Sequence, residues 1–110
     1  MIEKVLLDYL NKHMAVPCYL ERPIKCPKSY VLLEKTSGSI ENHIRYCTFA
    51  IQSYAETLFK CVQLNEQVIE NMLNATLLDE ILSVDLNSDY NFTDPSTKEY
   101  RYQAVFDLVY

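Results

Sequence analysis

Glycine is nearly absent from this chain of 110 residues, and tryptophan is absent altogether. Loops that cradle phosphate need several glycines so that backbone amides can approach the anion. Gly38 alone therefore excludes the common nucleotide-binding motifs. Long apolar runs are missing too. No stretch approaches the roughly 20 residues that cross a bilayer, and Met1-Ile2-Glu3-Lys4 lacks the layout of a secretory signal. The four cysteines, Cys18, Cys26, Cys47 and Cys61, are accordingly expected to be reduced thiols in a cytosolic setting, and the sequons at Asn74 and Asn91 lose meaning. Closely spaced metal-ligand pairs are also missing. His43 and Cys47 share a strand parity and could imitate a zinc set with Cys18 or Cys26. The seven-residue gap between those two cysteines is not a zinc signature, so all four read as small apolar packers and no metal or cofactor is expected.

Positive charge is scarce in the second half. Met1 to Ala55 carries seven Lys or Arg against five Asp or Glu, while Glu56 onward carries three against ten. The net charge of −5 thus arises after residue 55, and such a chain is a poor candidate for specific nucleic-acid binding. Its hydrophobic share of 49% against 23% charged residues is that of a folded domain, and the length suits one domain spanning 1–110.

Nine tyrosines and two alternating segments dominate what is present. Leu82, Val84, Leu86, Tyr90 and Phe92 occupy even positions, with Ser83, Asp85, Asn87, Asp89 and Asn91 between them. Tyr100, Tyr102, Ala104, Phe106 and Leu108 repeat the pattern against Arg101, Gln103 and Asp107. Successive strand side chains point to opposite faces, so each segment has one apolar and one solvated side. The turn-rich Thr93-Asp94-Pro95-Ser96-Thr97 between them predicts an antiparallel hairpin, with Asp85, Asp89 and Asp107 on its exposed face.

Upstream, Ile2, Val5, Leu6, Tyr9, Leu10 and His13 recur at helical spacing, and Pro17 ends that helix. A short strand is expected over Val16 to Glu21, followed by a basic loop from Arg22 to Lys28. Tyr30 to Thr36 reads as a strand that is apolar on both parities, covered on both sides or facing a neighbouring subunit. Ser37-Gly38-Ser39 predicts a tight turn with Gly38 at positive φ, and a further strand from about Ile40 to Gln52. Ser53-Tyr54-Ala55-Glu56 has the form of a capping box opening a helix to about Asn74, with Leu58, Val62, Ile69 and Met72 near its apolar face and Cys61, Val68 and Ala75 widening it. The resulting fold class is α+β: a mostly antiparallel sheet of four to five strands with two helices packed on one face, in the order α-β-β-β-α-β-β.

No catalytic constellation emerges. The strand carboxylates lack a cleft to shift their pKa, and no Cys–His pair has an orienting group or an oxyanion site. The loops best placed to leave the sheet plane are the candidates for partner contact, through Arg22, Lys25 and Lys28 in one and Thr93, Asp94 and Ser96 in the other.

Glu21-Arg22-Pro23, Tyr30-Val31-Leu32-Leu33-Glu34-Lys35-Thr36, Tyr90-Asn91-Phe92-Thr93-Asp94 and Tyr100-Arg101-Tyr102-Gln103-Ala104-Val105-Phe106-Asp107 occur in an order that resembles the tail-terminator (tail-completion, head–tail joining) proteins of long-tailed bacteriophages and prophages. The resemblance covers nearly the whole chain and rests on strand texture, with no residue motif for tube contact. It implies a structural virion protein of the tail and neck, assembled in the bacterial host cytoplasm. Such a protein forms a six-fold ring of identical copies that caps the tail tube protein and docks the head connector. On that reading DNA passes through the ring, and Asp85, Asp89 and Glu99 are candidates to line an acidic lumen. Another neck or tail-tube component, a small cytosolic protein-binding module and a thiol- or metal-dependent enzyme are the competing readings.

Overall fold

A computed structural model describes all 110 residues. Helix α1 (Ile2–His13) leads into β1 (Cys18–Tyr19), β2 (Tyr30–Glu41) and β3 (Ile44–Tyr54); helix α2 (Leu58–Leu73) and a short 3-10 turn then precede β4 (Ser83–Asn91) and β5 (Arg101–Val109). The five strands form one sheet in the order β1-β2-β3-β5-β4, antiparallel throughout except for β1 beside β2. This is the expected α+β architecture and element order. The C-terminal pair forms the expected antiparallel hairpin, and its second strand lies at the centre of the sheet.

Both helices cover one face. Ile2, Leu6, Tyr9 and Leu10 of α1 and Cys61, Leu64, Val68 and Met72 of α2 meet Val31 and Leu33 of β2, Cys47, Phe49 and Ile51 of β3, and Ala104, Phe106 and Leu108 of β5 in one core. Even residues of β5 point inward as expected, and the odd residues of β3 join them. Fully burying side chains such as Phe49 and Phe106 contributes on the order of 2–3 kcal/mol each. Polar ties fix the helices to each other and to the sheet. The Tyr9 hydroxyl donates to the Asn71 carbonyl at 2.7 Å, and the Cys61 thiol donates to the Ser53 carbonyl at 3.0 Å. Asn11 brackets Cys18, accepting from its N–H at 2.9 Å and donating to its carbonyl at 3.2 Å, which holds β1 against the sheet.

Four local expectations are corrected. The tight turn is Asn42-His43, at φ 51° and 66°, while Gly38 lies inside β2 without a positive φ. Two consecutive left-handed residues match the right-handed twist of a two-residue hairpin, and asparagine tolerates that conformation. Helix α2 starts later than the Ser53–Glu56 box: Ser53 and Tyr54 remain in β3, and Thr57 is the cap, its Oγ1 accepting from the Lys60 N–H at 3.1 Å. The buried stripe of α2 runs through Cys61, Leu64, Asn65, Val68 and Met72, which leaves Leu58 exposed. Finally, β4 shifts register between Leu86 and Ser88. The extra residue flips the strand, so Asp89 points to the helix side and Tyr90 to the other face.

Candidate partner-docking surface

The sheet face away from the helices carries Tyr30, Gln52, Tyr54, Gln103 and Tyr90, side by side at the end where β2 begins and β3 ends. No helix covers them, yet Tyr30 and Tyr54 are only 3% and 4% exposed. Their rings stack at 4.5 Å, Tyr19 meets Tyr30 edge-on at 6.2 Å, and the Arg22 guanidinium lies 5.8 Å above the Tyr54 ring. The second cover on β2 is thus supplied within the chain. A hydrogen-bonded row crosses three strands here. Arg101 donates to the Tyr54 hydroxyl at 3.4 Å, and that hydroxyl donates to Gln52 Oε1 at 3.2 Å. Gln52 Nε2 then donates to Gln103 Oε1 at 2.8 Å, and Gln103 Nε2 donates to the Tyr90 hydroxyl. Buried amides demand partners, and this row supplies them in sequence.

The two candidate contact loops sit together at this end. Arg22 Nη2 bonds Glu99 Oε2 at 2.8 Å, a pair separated by 77 positions in the chain. The loop carrying Arg22, Lys25 and Lys28 thereby lies against the connection carrying Thr93, Asp94 and Ser96. Lys25, Lys28 and Ser96 are exposed, and Ile24 between the basic residues is fully so. The connection is stiffened from within. Asp94 Oδ1 accepts from the Ser96 N–H at 2.9 Å and from its hydroxyl at 2.7 Å, which holds the Asp94 carboxyl below its ordinary range. Thr93 Oγ1 and the Arg101 N–H meet at 3.2 Å, and Arg101 lies over the Phe92 ring at 4.5 Å. This end of the molecule thus carries side chains of both charge signs, exposed Ile24 and the half-exposed rings of Tyr90 and Phe92.

The three candidate lumen carboxylates are not gathered on one surface. Asp85 stands on the uncovered face opposite Asp107, near the other end of the sheet; the Asp107 carboxylate accepts from Thr48 at 2.8 Å and from Asn87 at 3.0 Å. Asp89 faces the helices and accepts from the Asn65 amide at 3.0 Å, while Glu99 is held by Arg22. His43 lies in the hairpin turn, Cys18 and Cys47 are buried, and no group of three or more His, Cys, Asp or Glu side chains is placed to hold a metal ion. All four cysteines are free, three of them buried as packers; Cys26 is exposed, a correction to the expectation for that residue. No helix is long and apolar enough to cross a membrane. The aromatic and amide row was not foreseen from the sequence. Its one signal is a pair of glutamines, Gln52 and Gln103, at matching places in neighbouring strands. Neither a known protein-family model nor a curated protein sequence matches this chain.

Proposed function

We propose that this protein is a structural, non-enzymatic ring subunit that caps a phage tail tube and offers a docking face to the head connector. The observation that carries this reading is the pair of free sheet edges. β1 pairs only with Val31 and Leu32, so β2 from Leu33 to Glu41 has an unpaired outer side, and β4 has another along Ser83–Asn91. Between β2 and β4 every neighbour is antiparallel, which leaves the two edge strands running in opposite directions. Identical copies related by rotation about one axis would then meet β4 to β2 in antiparallel register, a head-to-tail contact that repeats until it closes. An unpaired edge of this length invites such pairing.

The clustered loops support the second half of the reading. In a ring, each copy would present its loops of Arg22–Lys28 and Thr93–Glu99 on the same rim, giving one polar and apolar docking surface repeated around the axis. The ring would stop tube growth because that rim does not copy the tube's own end. DNA would pass through the opening of the ring.

The test is electron microscopy and light scattering of the purified protein, followed by mixing with uncapped tail tubes. Closed rings, six-fold by the resemblance, and tubes of fixed length with a terminal ring are the expected results. A protein that stays monomeric at high micromolar concentration would instead favour the small binding-module reading, and open polymer would favour a tube component. Reversing charge at Lys25 and Lys28 should preserve rings and abolish capping; capping that survives would remove this loop from the contact.

A further inference from the structure

The two free sheet edges match in more than direction. Leu33–Glu41 of β2 and Ser83–Asn91 of β4 are equally long, and each holds one extra residue, Thr36 in the first and Asn87 in the second. Side chains paired across strands share a face, so the alternation of β3 and β5 fixes which edge residues stand on the helix side. Lys35, Gly38 and Ile40 do so in β2; Val84, Leu86 and Asp89 do so in β4. Laid antiparallel with Lys35 opposite Asp89, the edges also set Gly38 against Leu86 and Ile40 against Val84. Both extra residues then fall between the same two pairs, and the faces agree on either side of them. Each pair is complementary. Lys35 and Asp89 are exposed, opposite in charge, and absent from the chain's two ion pairs. Asp89 gives one carboxylate oxygen to the Asn65 amide, which leaves the other for a lysine. Ile40, 64% exposed, gains an apolar neighbour, and half-exposed Leu86 meets a glycine. The Lys35 chain that lies beside Gly38 in the single copy swings aside towards Asp89.

We infer that copies of this chain join in this one register, with Lys35 of each copy on Asp89 of the next. The inference rests on the head-to-tail edge contact proposed above and adds the side chains that select it. Backbone hydrogen bonds alone would attract a strand in many registers. A slip of two residues one way sets Glu41 opposite Asp85, and like charges directly opposite destabilise a pair. A slip the other way sets Lys35 opposite Asn87, and the two extra residues no longer face each other. Self-pairing of β4 is disfavoured too, because that edge carries Asp85 and Asp89 and no cation. The complement of each edge is therefore the other edge of a second copy. The contact reads head to tail and cannot close as a two-fold dimer.

The experiment reverses each charge alone and then mixes the products. Lys35→Glu and Asp89→Lys should each lose rings at the concentration where the parent protein forms them, with circular dichroism unchanged. A lysine at position 89 can still donate to Asn65, whose buried carbonyl oxygen has no partner. Mixed in equal amounts, the two variants present only opposite charges at every contact, provided that they alternate. Rings should then return, and native mass spectrometry should count the two variants in equal numbers within each ring. Gly38→Tyr, which fills the seat of Leu86, tests the same register without touching either charge and should also block assembly. Rings that persist in any of the three variants, or a mixture that stays unassembled, would overturn this register while the ring reading stands on the parent protein. A parent protein that never assembles would remove both.

Discussion

Two substitutions in one hairpin separate the observed turn from the one that the lone glycine suggests. His43 sits at φ 66°, where a residue with a Cβ pays roughly 1–2 kcal/mol relative to glycine. Introducing glycine also loosens the unfolded chain, at a cost of about 0.4–1 kcal/mol. His43→Gly should therefore stabilise the protein by about 0.5–1 kcal/mol, which raises Tm by about 3–5 °C in a domain of this size. Gly38 presents the opposite case. It lies within β2 at an ordinary φ, and a Cβ there would meet Lys35 Cε at 3.0 Å and Lys35 Nζ at 3.3 Å. Those atoms end a flexible, exposed side chain that can swing aside. Relief of the glycine penalty within a strand, about 0.5–1 kcal/mol, then makes Gly38→Ala neutral to mildly stabilising. Were the turn centred on Gly38 with positive φ, the same change would cost about 1 kcal/mol or more. Urea unfolding followed by circular dichroism, with m unchanged, measures both. Loss of stability in Gly38→Ala together with no gain in His43→Gly would refute the hairpin register and the strand pairing built on it.

Burial pushes the Cys18 thiol up to about 12 and the Cys47 thiol up to about 11. Because the folded chain holds these protons more tightly than the unfolded one, their stabilisation is complete below about pH 8.5 and is lost as pH climbs towards 11–12. Urea midpoints should fall over that range, and Cys47→Ala should flatten the slope; a flat profile in the parent protein would contradict the buried setting. The Arg22–Glu99 pair is half exposed, so Arg22→Ala should cost no more than about 1 kcal/mol while speeding tryptic cleavage after Lys25 or Lys28. An unchanged cleavage rate would show that the pair does not hold the loop.

The parts of the fold legible in the sequence are those set by local periodicity. The 3.6-residue recurrence in α1 places Ile2, Leu6, Tyr9 and Leu10 in the core but also names His13, which is exposed; the alternation in β5 places Ala104, Phe106 and Leu108 there but misses buried Gln103 on the other face. What escaped was decided by pairing at a distance. Ser53 and Tyr54 look like a helix start, but Ser53 is wholly buried and Tyr54 stacks on Tyr30, so sheet pairing outweighs the local cap. Asn65 interrupts the apolar stripe of α2, yet it is buried where the bulge in β4 brings Asp89 round to meet it. That bulge leaves no mark in an alternating segment. The candidate loops were recognisable one at a time from proline and charge, whereas their contact depends on a fold that joins positions 22 and 99.

The strand order has a consequence for how the chain comes together. β5 occupies the slot between β3 and β4, although it is the last strand to be synthesised. Until residues 101–109 are available, β3 has a bare flank and β4 has no neighbour, so the preceding elements are two unfinished pieces. Long-range closure of this kind is slow and leaves a sticky edge open meanwhile. A chain interrupted before Arg101 is thus a candidate for aggregation, and the arrival of one central strand converts the halves into a single cooperative body.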